Sequence, residues 1–366
     1  MNMLPREKRR GKTCIISLEN KRNTDFKLLS EVAGGLASYG YYADKTARVA
    51  FNQPEEIVRA LEDGTDCYEN TVIICPKVMF TTVSDFFTDK FKLPFDALGI
   101  MDGADNRIFV MFSDSANRLR LTDIKNVLDK AYGIRYGSTV IREVGAPEEL
   151  LQKAIDNAKR RTGDAYFNVT ESYGDCRIEI VYSSNTSKMA IDDGVREIVS
   201  ALNGYIYALE DISLAEQLVR LLKLRRMVIS TAESFTGGGV GRRIVEVSGA
   251  SEVFFEGLNT YSNKSKMGRL GVAELTLNQR GAVSSETAMQ MADGLLKTGN
   301  CSVAVSTTGI AGPKSDNTSK PVGLAYIGVG VDGDVSVYKF NFRGDRRTIT
   351  ETAINHALFL TYKKLK

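Results

Sequence analysis

Between Thr231 and Gly239 the chain reads Thr-Ala-Glu-Ser-Phe-Thr-Gly-Gly-Gly, a glycine cluster set between an apolar strand-like stretch and a helix-like one. Glycines at a strand-to-helix turn let main-chain N–H groups approach a ligand closely, and the helix start that follows favours a bound phosphate. Ser234, Thr236, Gly237 and Gly238 are therefore candidate contacts to a nucleotide, facing its phosphate or a developing oxyanion. Glu233 beside them joins the candidate substrate contacts. The run has neither the P-loop pattern nor that of a dinucleotide fold, so a ligand-free turn with a serine cap stays open at this level.

Two more segments carry residue types suited to a ligand. Thr308-Gly309-Ile310-Ala311-Gly312-Pro313 follows a strand-like stretch, and its small residues would let bare backbone lie against a flat ring; a plain strand-end turn reads equally well. Arg346, in Gly344-Asp345-Arg346 at the head of the last helical pattern, offers a planar fork for phosphate or an ordinary surface ion pair. The single histidine, His356, lies within that terminal helical pattern and reads as packed rather than catalytic. Histidine-based nucleophile chemistry is thereby disfavoured, and a hydrolytic site must use lysine, carboxylate or tyrosine as its base.

Composition narrows the class. A chain of 366 residues, 43% hydrophobic and 25% charged, has room for two or three globular domains. Its 48 basic and 45 acidic residues are interspersed, so no nucleic-acid partner is implied, and Arg6-Glu7-Lys8-Arg9-Arg10 reads as a frayed terminus. The absence of a long apolar run and of a signal-peptide core implies no membrane and a cytoplasmic location. Five scattered cysteines, without Cys-x-x-Cys spacing, support neither a disulfide framework nor a metal site, and no cofactor is expected.

Three regions must position these residues. Residues 1–137 alternate strand-like segments (Thr13–Leu18, Thr71–Cys75, Arg107–Phe112) with helical ones such as Asp25–Tyr39, the pattern of an α/β layer. Residues 138–211 read as a small α+β domain: strands at Tyr166–Thr170 and Cys176–Tyr182 around a turn, then a helix near Val195–Leu202. Alternation of Arg177 and Glu179 with Ile178 and Ile180 predicts one wet face and one packed face. Residues 212–366 begin with a helix at Leu214–Leu224 and a strand at Met227–Ser230, continue through strands at Ser302–Ser306 and Leu324–Val329, and close with a helix from about Asp345.

The motifs of this last region occur in a telling order: Ala232-Glu233-Ser234 with Thr236-Gly237-Gly238, Gly249-Ala250-Ser251, Tyr261-Ser262-Asn263-x-x-Lys266, Gly281-Ala282-Val283-Ser284, Thr308 to Pro313, Lys320-Pro321-Val322-Gly323 and Gly344-Asp345-Arg346. Together they closely resemble the CinA C-terminal family, whose members are nicotinamide mononucleotide deamidases. The resemblance implies hydrolysis of the nucleotide's carboxamide to nicotinate mononucleotide and ammonia by a serine–lysine mechanism. Carried over to these positions, it implies Ser251 as nucleophile, Lys266 as general base and Tyr261 as an orienting or relaying neighbour, with Thr308, Gly309, Ala311 and Gly312 against the nicotinamide ring. A lysine base near neutral pH needs its pKa lowered by burial or a nearby cation, and the substrate pyridinium is one such cation. The family also implies a homodimer.

Full-length CinA proteins carry a molybdopterin-binding-like α/β domain and a small KH-like domain ahead of the deamidase, and the first two regions agree with both. In the family the first domain bears a Gly-Gly-Leu-Gly-Pro-Thr segment with following aspartates, tied to metal-dependent ADP-ribose hydrolysis. Here Pro76-Lys77-Val78-Met79-Phe80-Thr81-Thr82-Val83-Ser84-Asp85 stands in its place, so a degenerate, structural domain is expected. Two departures touch the deamidase region. Phe235 replaces a small residue, and Lys314-Ser315-Asp316-Asn317 replaces a glycine-rich stretch. They leave a rival reading, a catalytically inactive nucleotide-binding or competence-associated scaffold.

Overall fold

The computed structural model describes residues 11–19, 27–50, 52–113, 120–313 and 319–366. The Arg6–Arg10 run, the start of the expected Asp25 helix and the Lys314–Asn317 departure lie outside these residues. The chain divides into two compact units, one of Met1–Thr139, Ala158–Phe167 and Glu179–Val195, the other of Val140–Asn157, Asn168–Ile178 and Arg196–Lys366.

The first five strands are β1 (Thr13–Glu19), β2 (Lys45–Ala50), β3 (Asn70–Cys75), β4 (Ile100–Asp102) and β5 (Arg107–Phe112). They form one sheet of order β2-β1-β3-β5-β4, parallel except for β4. Helices α1 (Lys27–Ser38), α2 (Pro54–Asp66) and α3 (Phe80–Phe91) supply the crossovers that parallel strands require, and α4 (Leu121–Tyr132) follows β5. The buried centres of β1 and β3 are apolar on both sides because both sheet faces are covered: Ile15, Val72 and Ile74 pack on one side, Ile16, Ile73 and Cys75 on the other.

A four-stranded sheet of order β7-β8-β6-β9 follows, from β6 (Tyr136–Val144), β7 (Tyr166–Ser172), β8 (Asp175–Ser183) and β9 (Ile206–Ala208), with α5 (Glu148–Thr162) and α6 (Lys188–Leu202). Tyr173 and Gly174 both take positive φ, 54° and 78°, the two-residue hairpin turn whose twist suits antiparallel strands. Helix α6 begins seven residues before the expected Val195. The predicted wet face of β8 is not wet throughout: Glu179 is only 2% exposed.

The last sheet has the order β11-β10-β12-β13-β14, from β10 (Ile229–Glu233), β11 (Phe254–Asn259), β12 (Val303–Gly309), β13 (Leu324–Val331) and β14 (Asp334–Asn341). Strands β10, β11 and β12 are parallel, whereas β13 and β14 run antiparallel. One face carries α7 (Leu214–Arg225), α8 (Gly239–Val245) and α12 (Arg346–Leu365), joined through Leu218, Val240, Ile244, Ile354 and Leu358. On the other lie α9 (Asn263–Leu270), α10 (Glu274–Arg280) and α11 (Ser285–Leu296), around Leu270, Leu277, Met291 and Ala304. Among the described residues, no helix is long and apolar enough to cross a membrane, and no three metal-ligating side chains are grouped.

Candidate functional site

The parallel register decides which residues meet. Glu233 at the end of β10 pairs with Asn259 at the end of β11 and with Thr307 on β12, so Ser234 and Thr260 leave the sheet along one edge, level with Thr308 near the end of β12. The carboxyl edge of parallel strands is where open α/β sheets bind ligands.

Ser234 sits in the turn from β10 to α8, its N–H donating to the Thr307 carbonyl at 3.0 Å. Positive φ at Gly237 and Gly238, 61° and 91°, reverses the chain within this turn. Glu233 is buried beneath it. Its carboxylate accepts the N–H groups of Val240 (3.1 Å) and Gly241 (2.9 Å) and the Thr236 hydroxyl (2.7 Å). Thr236 Oγ1 also meets Thr307 Oγ1 at 2.6 Å. Glu233 and Thr236 are therefore occupied inside the fold as the clasp of the turn, and their side chains are not free to contact a substrate.

Lys266 enters from α9, whose N-cap Ser262 accepts the Ser265 N–H. Its side chain is 0% exposed, and its Nζ lies 3.0 Å from Ser234 Oγ, 2.7 Å from the Thr260 carbonyl and 3.1 Å from the Tyr261 carbonyl. Burial lowers its pKa to about 8. Ser234 itself is partly exposed, so a nucleophile reachable from solvent touches a buried amine.

The residue expected to be that nucleophile lies elsewhere. Ser251 is in the short 3-10 turn Ala250–Glu252 that precedes β11, and β11 opens opposite Ile229, the first residue of β10. Lys266 follows the far end of β11. A strand's length, roughly 15–20 Å at about 3.3 Å per residue, separates Ser251 from Lys266. No hydrogen-bonded pair can form across it, and the partner of Lys266 is Ser234. Tyr261 is 67% exposed and gives Lys266 only its carbonyl among the contacts described.

The remaining candidates line the other side. Thr308 is buried, its hydroxyl donating to the Ala282 carbonyl at 2.6 Å. At Gly309 a Cβ would fall 3.0 Å from the Phe235 ring and 2.9 Å from the Leu324 carbonyl, so the backbone there is bare because it is crowded from behind. Phe235 is 7% exposed and packs with Ala311, Ala325, Ile349 and Ala353. Gly312, at φ 82°, presents its carbonyl to Arg346 Nη1 at 2.7 Å. Arg346 is otherwise exposed at the head of α12.

The residues described above fall within a single family domain. The model of the CinA C-terminal domain matches residues 211–365. A Clostridium acetobutylicum protein described as competence-damage inducible is 40% identical over 225 residues, covering 60% of this chain and 54% of that one. A Halothermothrix orenii protein of the same description is 33% identical over 278 residues, covering 74% of this chain and 67% of that one. The crystal structure of a CinA superfamily protein from Klebsiella pneumoniae is 26% identical, with a TM-score of 0.41, and covers 42% of this chain and 95% of that one. The chain spans about half the length of the Clostridium protein, 54%.

Proposed function

We propose, from the premise that this chain belongs to the CinA family, that it hydrolyses the carboxamide of nicotinamide mononucleotide with Ser234 as nucleophile and Lys266 as base. The observation that carries the reading is the 3.0 Å contact between Ser234 Oγ and the buried Lys266 Nζ.

A neutral amine has two N–H donors and one lone pair. The Thr260 and Tyr261 carbonyls take the two donors, which turns the lone pair toward the Ser234 hydroxyl. Lys266 then accepts the hydroxyl proton as Oγ attacks the carboxamide carbon. The tetrahedral oxyanion is received by main-chain N–H groups of the Ser234–Gly238 turn. Lys266 returns the proton to the departing nitrogen, and ammonia leaves an ester on Ser234. Water, deprotonated by Lys266, cleaves the ester to nicotinate mononucleotide. Arg346 holds the phosphate with the N–H groups that the Gly312 carbonyl leaves unused. The Thr308–Gly312 backbone faces the pyridine ring.

Phe235 fills core space rather than the mouth of the site, which favours the enzyme over an inactive scaffold. The test is ammonia release from nicotinamide mononucleotide by the parent protein and by Ser234→Ala, Lys266→Ala and Ser251→Ala. The expected result is loss of at least about a thousandfold in the first two, in the range known for nucleophile removal, and near-parental turnover in the third. Turnover by a folded Ser234→Ala would remove the assignment.

A further inference from the structure

We propose that Lys320 is a positioning residue that fixes the substrate-facing wall opposite Lys266; this rests on the reading of the site given above. Lys320 Nζ donates to the carbonyls of Arg280 (2.8 Å) and Val283 (2.6 Å). Between them, the Gly281 carbonyl accepts from Ser284 Oγ (3.0 Å) and Thr287 Oγ1 (2.8 Å), and the Ala282 carbonyl accepts from Thr308. Four successive carbonyls, from the last residue of α10 through the connector to α11, are thus drawn by side chains. An irregular segment has no neighbouring strand or helical turn to satisfy its backbone, so these donors determine its course.

The geometry leaves little freedom. Gly281 has φ 83°, and a Cβ there would stand 3.2 Å from the Lys320 ammonium. Glycine admits the cation between the two carbonyls. Val283, at the end of the cradle, packs with Ile310, in the middle of the Thr308–Gly312 segment, and with Leu324, whose carbonyl accepts the Ile310 N–H. That segment is one residue from Thr307, whose carbonyl holds the Ser234 N–H. Lys320 therefore acts two steps from the nucleophile without touching it. Its effect belongs to substrate binding, because Ser234 and Lys266 take their own positions from β10, β11 and α9.

The experiment measures nicotinamide mononucleotide affinity by calorimetry in a Ser234→Ala background, and KM and kcat in the active background. In Lys320→Ala, affinity falls and KM rises about tenfold, the scale of a lost charged hydrogen bond, while kcat stays within about threefold and the pH profile is unmoved. Methylammonium, which can refill the vacated cradle, restores affinity in Lys320→Ala but not in the parent background. Lys320→Met, which keeps the apolar stem, guards against misfolding and gives the same rise in KM. Unchanged affinity in a folded Lys320→Met overturns the proposal. So does a joint fall of kcat and Tm that methylammonium does not reverse, since that marks a merely structural lysine. Failure of the underlying reading shows separately, as absence of ammonia from the parent protein.

Discussion

In the proposed reaction a lysine with no exposed surface serves as a base because none of its described contacts compensates its charge. Burial is the sole cause of the lowered pKa, about 8, and its three partners are a hydroxyl and two carbonyls rather than a carboxylate. In that proposed reaction the neutral amine is the active form. Turnover is therefore expected to rise about tenfold per pH unit below pH 8 and to level above it, a profile that initial rates across pH 6 to 9.5 would check. The same burial has a thermodynamic side. The folded pKa lies below the unfolded ~10.4, so the unfolded chain binds more protons between the two values and stability grows with pH through that window. Lys266→Met removes the charge that folding must bury and should raise Tm at pH 7 while abolishing turnover. A lower Tm would mean that the two carbonyl contacts outweigh desolvation. Of these residues the sequence discloses identity but not pairing. Ser251 lies nearer to Lys266 along the chain than Ser234 does, yet the segment Phe254–Asn259 between them is a strand and sends them to opposite ends. The legible signal was that strand: a residue just before it and one just after it cannot meet, whereas two residues following parallel neighbours can.

At the scale of elements, the site depends on how β10 is joined to α8. A carboxylate is needed at Glu233 because two main-chain donors and a hydroxyl converge on its two oxygens. Glu233→Gln keeps the shape but turns an N–H toward a donor. The expected cost is about 1–3 kcal/mol of stability, the penalty for a buried group left unsatisfied, together with a fall in kcat as Ser234 loses its fixed turn. Denaturant unfolding beside turnover assays tests both. An unchanged midpoint would show that the amide finds another acceptor. The strand expected at Met227–Ser230 forms as β10 at Ile229–Glu233, shifted toward the glycine turn; the last helix is readable in advance because its signal is local, Asp345 capping α12 by accepting the Thr348 N–H at 2.7 Å. Edge strands are not. Half-exposed β2, β11 and β14 carry mixed polar and apolar residues that resemble loops until a neighbour supplies their hydrogen bonds. Glu179 fails for a related reason, since alternation marks the two faces of a strand but not whether the second is covered.

For the molecule as a whole, two further buried titratable groups lie where β6 and the hairpin turn of β7 and β8 meet α12. His356 packs edge-on against Phe340 and Phe342, beside Gly145 and Gly174, and Asn355 Nδ2 donates to the Ser172 (3.3 Å) and Tyr173 (3.0 Å) carbonyls. Burial lowers the His356 pKa, partly offset by its contact with the Thr352 carbonyl. Glu143, buried two residues before Gly145 and holding the Ala146 N–H, is pushed by burial to about 7. The two act in opposite senses. Below about pH 6.5 the unfolded state binds more protons at His356 than the folded state, so this residue makes stability fall as pH falls. Between about 4.5 and 7 the folded state binds more protons at Glu143, so this residue makes stability rise as pH falls. Their contributions oppose each other as pH falls below about 6.5. Glu143→Gln, which keeps an acceptor for Ala146, should therefore steepen the loss of Tm on acidification, and His356→Gln should flatten or invert it. Comparing each variant with the parent removes the groups they share. Equal slopes in all three would show that neither side chain resists its charge as burial requires. The single histidine, which composition alone marks as unsuited to catalysis, thus works as part of the packing that carries α12 and, at its head, Arg346.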